Sequence, residues 1–517
     1  MLYKKNGAPR LDDQLFRAPT AEYRGTPFWA WNCKLEREEL EWQLEVFKKM
    51  GFGGGHMHVR TGMATNYLSD EYMALIKACV EKAKSENMLA WLYDEDRWPS
   101  GAAGGLVTKD KQYRARYLLF TPTPYSGNTT RVETSQAAGS RTENGYLLGC
   151  FDVELDADGR LLSTKMIGED EAAAHDKWYA YIESPNESGW YNNQTYVNTL
   201  DKKSMDRFIE ITYEAYNRTI PEEFGETVPS IFTDEPQFTR KSTLKFATDK
   251  TDVTLPWTDD LAETFAAVYN GEDLLAGVPE LIWDRADGTP SVLRYHYHDH
   301  ICERFTQAFA DNCGAWCREH GLALTGHMME EPTLESQTAA LGEAMRAYRG
   351  FDLPGIDMLC ARFEYTTAKQ TQSAVHQFGY EGMLSELYGV TNWDFDFRGH
   401  KLHGDWQAAL GVTIRVPHLS WVSMAGEAKR DYPASISYQS PWWDKYALVE
   451  DHFARVATAM TRGVPVVKVG VIHPVESYWL HWGPAESTAL IRTEMDQNFQ
   501  NLTQWLLFGG VDFDFIS

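Results

Sequence analysis

Glu235, in Thr-Asp-Glu-Pro, and Glu386, in Ser-Glu-Leu-Tyr, each close a short apolar run of the kind that ends at a strand terminus. Two carboxyl groups flanking a scissile bond are what glycoside hydrolysis requires. One is protonated to release the leaving oxygen, and one is ionised to attack or to activate water. The two environments differ in the required sense. Glu235 follows Asp234, whose charge raises the pKa of the glutamate and favours a general acid, whereas Glu386 lies among groups able to hydrogen-bond a carboxylate and keep it ionised. Each also has a structural reading, because a strand-terminal acid commonly caps a turn or joins a salt bridge.

Other strand ends carry further polar and aromatic groups. Asp94, Glu95 and Asp96 precede Arg97, Trp98 and Pro99; in an extended chain Asp94 and Asp96 share one face, and Glu95 takes the other. Two carboxylates on one face suit a sugar hydroxyl or Ca²⁺, and the sequence leaves that choice open. His56 and His58 form a His-x-His on one strand face, as in metal-dependent, amidohydrolase-like enzymes. That reading also wants a bridging Lys at a later strand end and a catalytic Asp on the last strand, where Thr-Asp-Glu-Pro and His-Leu-Ser-Trp stand instead. His58 is therefore assigned to substrate, with a packed core histidine as the alternative. Trp31, Arg60, Asp94, Asp96, Trp98, Asp234, His327, Glu330, Tyr388 and Trp421 complete the candidate substrate-binding set, because each lies at the end of an apolar run. Asp357 and His418 end the sixth and eighth runs outside that set. Trp442 and Trp443 either wall the site or anchor the helix that follows. The glycines of Gly-Phe-Gly-Gly-Gly-His-Met-His precede their strand, which is not the order of a phosphate loop.

Short apolar segments at 26–32, 53–60, 89–96, 228–235, 322–330, 354–360, 382–389 and 413–422 read as strands. Amphipathic stretches at 36–50, 69–86, 200–219, 291–320, 333–349, 366–378, 400–410 and 443–462 read as helices. Caps such as Ser69 and Asp201 open some of them, and Gly51, Gly321, Gly350, Gly379 and Gly463 close others. Eight such pairs are the order of a (β/α)₈ TIM barrel, whose site lies at the C-terminal strand ends. The expected organisation is a barrel from 1–105 and 200–463, an inserted β-rich domain at 106–199, and a partial flavodoxin-like α/β unit at 464–517. Residues 237–290 form a long loop after the fourth strand. A strand, helix and strand cannot close a core alone, so a continuation past Ser517 is expected.

Forty-nine Lys and Arg against 74 Asp and Glu give 49 − 74 = −25, a field that repels nucleic acid and anionic lipid. No stretch approaches the roughly 20 apolar residues that span a bilayer. The N-terminus lacks the apolar run of a signal peptide, and a cytoplasmic enzyme is expected. Seven cysteines contain no Cys-x-x-Cys pair, which argues against a zinc or redox motif.

The stretches PFWAWNCKLEREELEWQLEVFKKMGFGGGHMHVRTGM, AWLYDEDRWPSGAAGG, IFTDEPQF, SELYGVTNWDF and SYQSPWW resemble the catalytic barrel of glycoside hydrolase family 106, the α-L-rhamnosidases, over about residues 20 to 460. The resemblance implies an inverting mechanism, two glutamates as acid and base, and a calcium ion near the sugar; Glu235 and Glu386 match by strand location. A second likeness, to clan A glycosidases with their acid/base on strand four and nucleophile on strand seven, implies retention instead. The expected function is hydrolysis of a terminal sugar, rhamnose first, from an oligosaccharide or glycoconjugate. The rival readings are a metal-dependent hydrolase built on His56 and His58, and a non-catalytic carbohydrate-binding barrel.

Overall fold

Eight parallel strands close into a ring in the computed structural model, which describes residues 2–3, 10–124 and 145–517. They are β1 (Phe28–Trp31), β2 (Gly54–Val59), β3 (Leu89–Tyr93), β4 (Ser230–Asp234), β5 (Ala323–His327), β6 (Leu353–Met358), β7 (Met383–Leu387) and β8 (Val412–Pro417). The main body of β8 pairs with β7. Its continuation Ser420–Trp421 pairs with β1, Trp29 against Ser420 and Ala30 against Trp421, so the sheet has no free edge. The fold is the TIM barrel that the order of segments implies. No helix among the described residues is long and apolar enough to cross a membrane.

Side-chain alternation along each strand sorts the residues into two cores. Phe28, Ala30, Trp91, Tyr93, Phe232, Leu384 and Val416 pack together inside the ring. Trp29, Trp31, Met57, Val59, Leu92, Ile231 and Ile356 face outward against the helices. Close strand approach needs glycine at two positions: a Cβ on Gly54 would lie 2.2 Å from the Leu89 carbonyl oxygen, and one on Gly326, at φ +122°, 1.8 Å from that of Thr233.

The helices follow from capping and amphipathicity. In Asp70–Ser85 the Ser69 hydroxyl accepts from the Tyr72 N–H, Asp70 and Glu71 occupy the first turn, and Lys82 and Lys84 the last. Its buried face runs through Tyr72, Ile76, Cys79 and Ala83 at helical spacing. The long stretch 291–320 forms Val292–Phe305 and Asn312–Glu319, joined by a π-helical turn over Thr306–Asp311.

Between β3 and its helix lies an antiparallel sheet. Its strand order is Leu161–Ile167, Tyr146–Leu155, Asp176–Glu183, Tyr117–Thr121 and Val253–Pro256. The fifth strand comes from the long segment after β4. The sequence reading assigned no strand there, because its partner is 133 residues away and only tertiary pairing reveals it. The tetrapeptide Asp156–Gly159 turns the hairpin, with Gly159 at φ +75°. Residues 125–144 of the expected insertion lie outside the described residues. Near the C-terminus Val469–Ile472 and Phe513–Ile516 pair in parallel around the helix Ala485–Phe508. The pair is docked on the barrel helix Tyr365–Phe378, where the Phe515 N–H donates to Ser373 Oγ at 2.8 Å.

Candidate active site

The ends of β2, β4, β6 and β7, with Phe28 of β1 and the loops after β3, β6 and β8, surround a cavity of about 170 Å³. Phe28, His58, Arg60, Trp98, Asp234, Glu235, Asp357, Leu359, Glu386, His418 and Tyr432 line it. Alternation explains the membership: on β7, Leu384 and Glu386 point inward, and on β6 Asp357 stands in register with Glu386. Glu235 follows the inward-facing Asp234, and a left-handed backbone (φ +47°) at Glu235 turns it onto the same cavity.

The acids are held apart by one imidazole. His327, the last residue of β5, places Nε2 2.9 Å from Glu386 Oε2 and 3.4 Å from Asp234 Oδ1. Tyr93 OH donates to Asp234 Oδ2 at 2.5 Å, and the Asp234 N–H donates to Ser100 Oγ at 2.8 Å. Burial pushes Glu235 up to about 8, with the Asp234 charge adding to the rise. Burial also raises Glu386, while the hydrogen bond and charge of His327 oppose that rise. Burial opposes the charge on His327 as well, but its hydrogen bond to Glu386 and the charges of Glu386 and Asp234 outweigh it and lift His327 well above 6.5. The result is an imidazolium that donates to Glu386 and limits its rise, and a Glu235 that keeps its proton at neutral pH. His58 and His418 lie well below 6.5, chiefly through burial and then through Arg60, and are neutral.

Several buried polar atoms on the cavity have no hydrogen-bond partner: Asp357 Oδ1, both ring nitrogens of His58, and His418 Nδ1. A buried polar atom left unpaired costs free energy, and such atoms gathered on one cavity are suited to a polar ligand. Ca²⁺ takes oxygen ligands, and the cavity lining offers the carboxyl oxygens of Asp234, Glu235, Asp357 and Glu386, with Asp357 Oδ1 unpaired.

The remaining candidates separate. Arg60 lines the cavity and is clamped to Asp431, Nη2 to Oδ1 at 2.9 Å and Nε to Oδ2 at 3.2 Å. Its guanidinium sits 4.4 Å from the Trp98 ring and 5.3 Å from that of Tyr432. Trp421 lines an adjoining cleft instead. Five residues are not brought to the cavity. Trp31 faces the helices and packs on Tyr72, because its parity on β1 is opposite to that of Phe28. Tyr388 is buried, its hydroxyl donating to the His400 carbonyl at 2.9 Å. Asp94 accepts from Ser100 Oγ and Tyr213 OH, and Asp96 accepts from Asn192 Nδ2. Glu330, at φ +63°, pairs with Arg240 outside the cavity. Trp442 packs on His400 and Tyr446, the anchoring role rather than a wall of the cavity.

The paired histidines do not converge on a metal. His56 is buried beneath the cavity with Nδ1 3.1 Å from the Thr26 carbonyl oxygen and its ring on Trp91. Among the described residues, the one group with metal-ligand spacing is Asp234, His327 and Glu386, which includes neither His56 nor His58. Asp357 and His418 were legible as strand ends. Leu359 and Tyr432 come from loops and carry no periodic signal.

No family model and no curated protein sequence matches this chain. Solved structures do. A rhamnosidase from Novosphingobium sp. PP1Y superimposes with a TM-score of 0.64 at 13% identity, over 89% of this chain and 61% of that one. A GH42 β-galactosidase from G. stearothermophilus superimposes with a TM-score of 0.52 at 10% identity, over 96% of this chain and 67% of that one. The chain therefore spans about three fifths of the rhamnosidase, and at these identities the likeness is one of fold. The structural neighbours of this chain are glycoside hydrolases built on the same kind of barrel.

Proposed function

We propose that this protein is a glycoside hydrolase acting on a terminal sugar, with Glu235 as general acid and Glu386 as general base or nucleophile. The observation that carries the reading is the convergence of these two acids, from β4 and β7, on one cavity in different environments, Glu235 beside the Asp234 charge and Glu386 hydrogen-bonded by His327. The cavity is small, about 170 Å³ against the roughly 300–1,000 Å³ of clefts for drug-sized ligands, which suits one ring rather than a chain.

Glu235 carries its proton at neutral pH and donates it to the glycosidic oxygen as the bond breaks. Glu386, held by the His327 N–H, faces the sugar as a carboxylate and attacks or activates water. Asp234, tied to Tyr93 and His327, keeps negative charge beside Glu235, so the proton of the acid is retained until the leaving oxygen takes it. His58 and Asp357 offer their unpartnered atoms to sugar hydroxyls. A Ca²⁺ ion bound here would take oxygens from Asp234 and Glu386, the carboxylates of the one described group with metal-ligand spacing, and would supply positive charge to those hydroxyls. The finer reading is an α-L-rhamnosidase related to family 106. It is supported by the sequence stretches that resemble that family and by a rhamnosidase among the fold neighbours.

The test is a panel of nitrophenyl glycosides, with the product anomer read by NMR, on the wild type and on Glu235→Gln and Glu386→Gln. Each substitution is expected to lower kcat by about 10²–10⁴-fold with unfolding temperature retained. Wild-type rates in both variants would refute the assignment. Saturable sugar binding without turnover of any glycoside would identify a non-catalytic barrel instead.

A further inference from the structure

A second cleft, about 680 Å³, adjoins the acid cavity and shares two residues with it, Trp98 and Tyr432. Trp190 and Trp421 complete an aromatic lining. Trp98 and Trp190 are half-buried and Tyr432 is exposed, so their rings give the cleft flat apolar surface, with Trp421 buried in its lining. The rings are also fixed in place. Trp190 Nε1 donates to the Trp98 carbonyl at 2.6 Å, and the two indoles meet edge to face with centroids 4.8 Å apart. Arg60, neutralised by Asp431, lies between Trp98, Tyr432 and Trp421 and braces all three.

Trp421 adds a polar feature. The residue is 1% exposed, lines the cleft, and its indole Nε1 is buried without a hydrogen-bond partner. An unpaired buried donor beside stacked aromatic faces suits a ligand with a flat apolar face and an oxygen on its edge. The cleft is about four times the size of the acid cavity and borders it at Trp98 and Tyr432, which line both.

We infer that this cleft is the leaving-group subsite, and that it selects glycosides whose leaving group is a neutral ring system, an aryl group or a second sugar ring, stacked on Trp98 and Trp190 with an oxygen facing Trp421 Nε1. The inference rests on the glycosidase reading above. It assigns a role to the far end of the inserted segment: Trp190, in the short helical turn Gly189–Tyr191, reaches the site opened by Trp98, 92 residues earlier. The insertion would thus contribute to substrate choice as well as to its own sheet.

The experiment compares three substrates of the sugar that wild type accepts: the glycosyl fluoride, which has no leaving-group ring, the nitrophenyl glycoside, and a disaccharide. Trp190→Ala and the gentler Trp421→Phe, which removes only the N–H donor and part of the ring, are each measured on all three. The expected result is a loss of kcat/KM on at least one ring-bearing substrate that exceeds the loss on the fluoride by tenfold or more for Trp190→Ala and by about threefold or more for Trp421→Phe. A larger loss on the nitrophenyl glycoside assigns an aryl leaving group, and a larger loss on the disaccharide assigns a sugar; either supports the proposal. Equal losses on all three substrates overturn it while leaving the glycosidase reading intact. A wild type that hydrolyses none of the three substrates for any sugar overturns both.

Discussion

Two acidic clusters lie side by side at the barrel mouth, and they differ in what their oxygens touch. At the end of β3, Glu95 accepts from the backbone N–H groups of Asp96, Gly101, Ala102, Ala103 and Gly104, while Asp94 accepts from Ser100 and Tyr213. At the ends of β4, β6 and β7, Asp357 Oδ1 has no partner, and Glu235 and Glu386 face a cavity. Burial pushes Glu95 and Glu235 to the same value, about 8, so a perturbed pKa does not separate them. Hydrogen-bond satisfaction does. Five amide donors are arranged around the Glu95 carboxyl, which folds the loop that carries Trp98; the other cluster keeps its capacity for a ligand.

That contrast can be broken first at Glu95. Glu95→Ala leaves five buried N–H groups unsatisfied and is expected to cost about 3–5 kcal/mol of stability, with loss of Trp98 positioning. Thermal unfolding checks it, and a variant as stable as wild type would remove the distinction. Glu235→Gln is expected to act in the opposite sense. With a folded pKa near 8 against an ordinary value near 4.5, the native state holds a proton that the unfolded chain releases, so wild-type stability declines as pH rises from about 4.5 to 8. The glutamine variant should show a shallower decline in denaturant titrations across this range, the remainder coming from groups such as Glu95.

The rate profile sharpens the comparison. kcat/KM should fall as pH rises through about 8, when Glu235 loses its proton, and Glu235→Gln should have no such limb. His327→Gln removes the group that opposes the burial of Glu386. The acidic limb of kcat should therefore move to higher pH, whereas a purely structural His327 would change the rate without moving the limb. The smallest expected effect is at Tyr93→Phe, which takes one hydrogen bond from Asp234 and should lower kcat/KM by about tenfold with the profile shape retained.

The barrel was legible because its strands are short apolar runs and its helices have caps and an amphipathic period. Glu235, Glu386, Asp234, Arg60, His58 and Trp98 stood at strand ends or just beyond them, and the cavity gathers all six. Trp31 occupied such an end too, but faces the helices. Its parity was readable, yet which parity of β1 faces the barrel axis depends on the register with β2, where Phe28 meets His56 and Ala30 meets His58. The Asp94–Asp96 triplet looked like a binding cluster because acid type and spacing do not reveal that a glycine-rich loop will return its amides to Glu95.

Local patterning, which depends on residues within a turn or two of each other, determined the strands, the helices and the acids at their ends. Tertiary structure alone decided that β8 closes on β1 and so brings β4 and β7 across one cavity. It also decided that Val253–Pro256 joins a sheet begun more than a hundred residues earlier, and that one histidine stands between two acids. The reason is physical: a carboxylate has the same composition wherever it sits, and its charge, proton and free lone pairs are set by neighbours that only chain closure supplies.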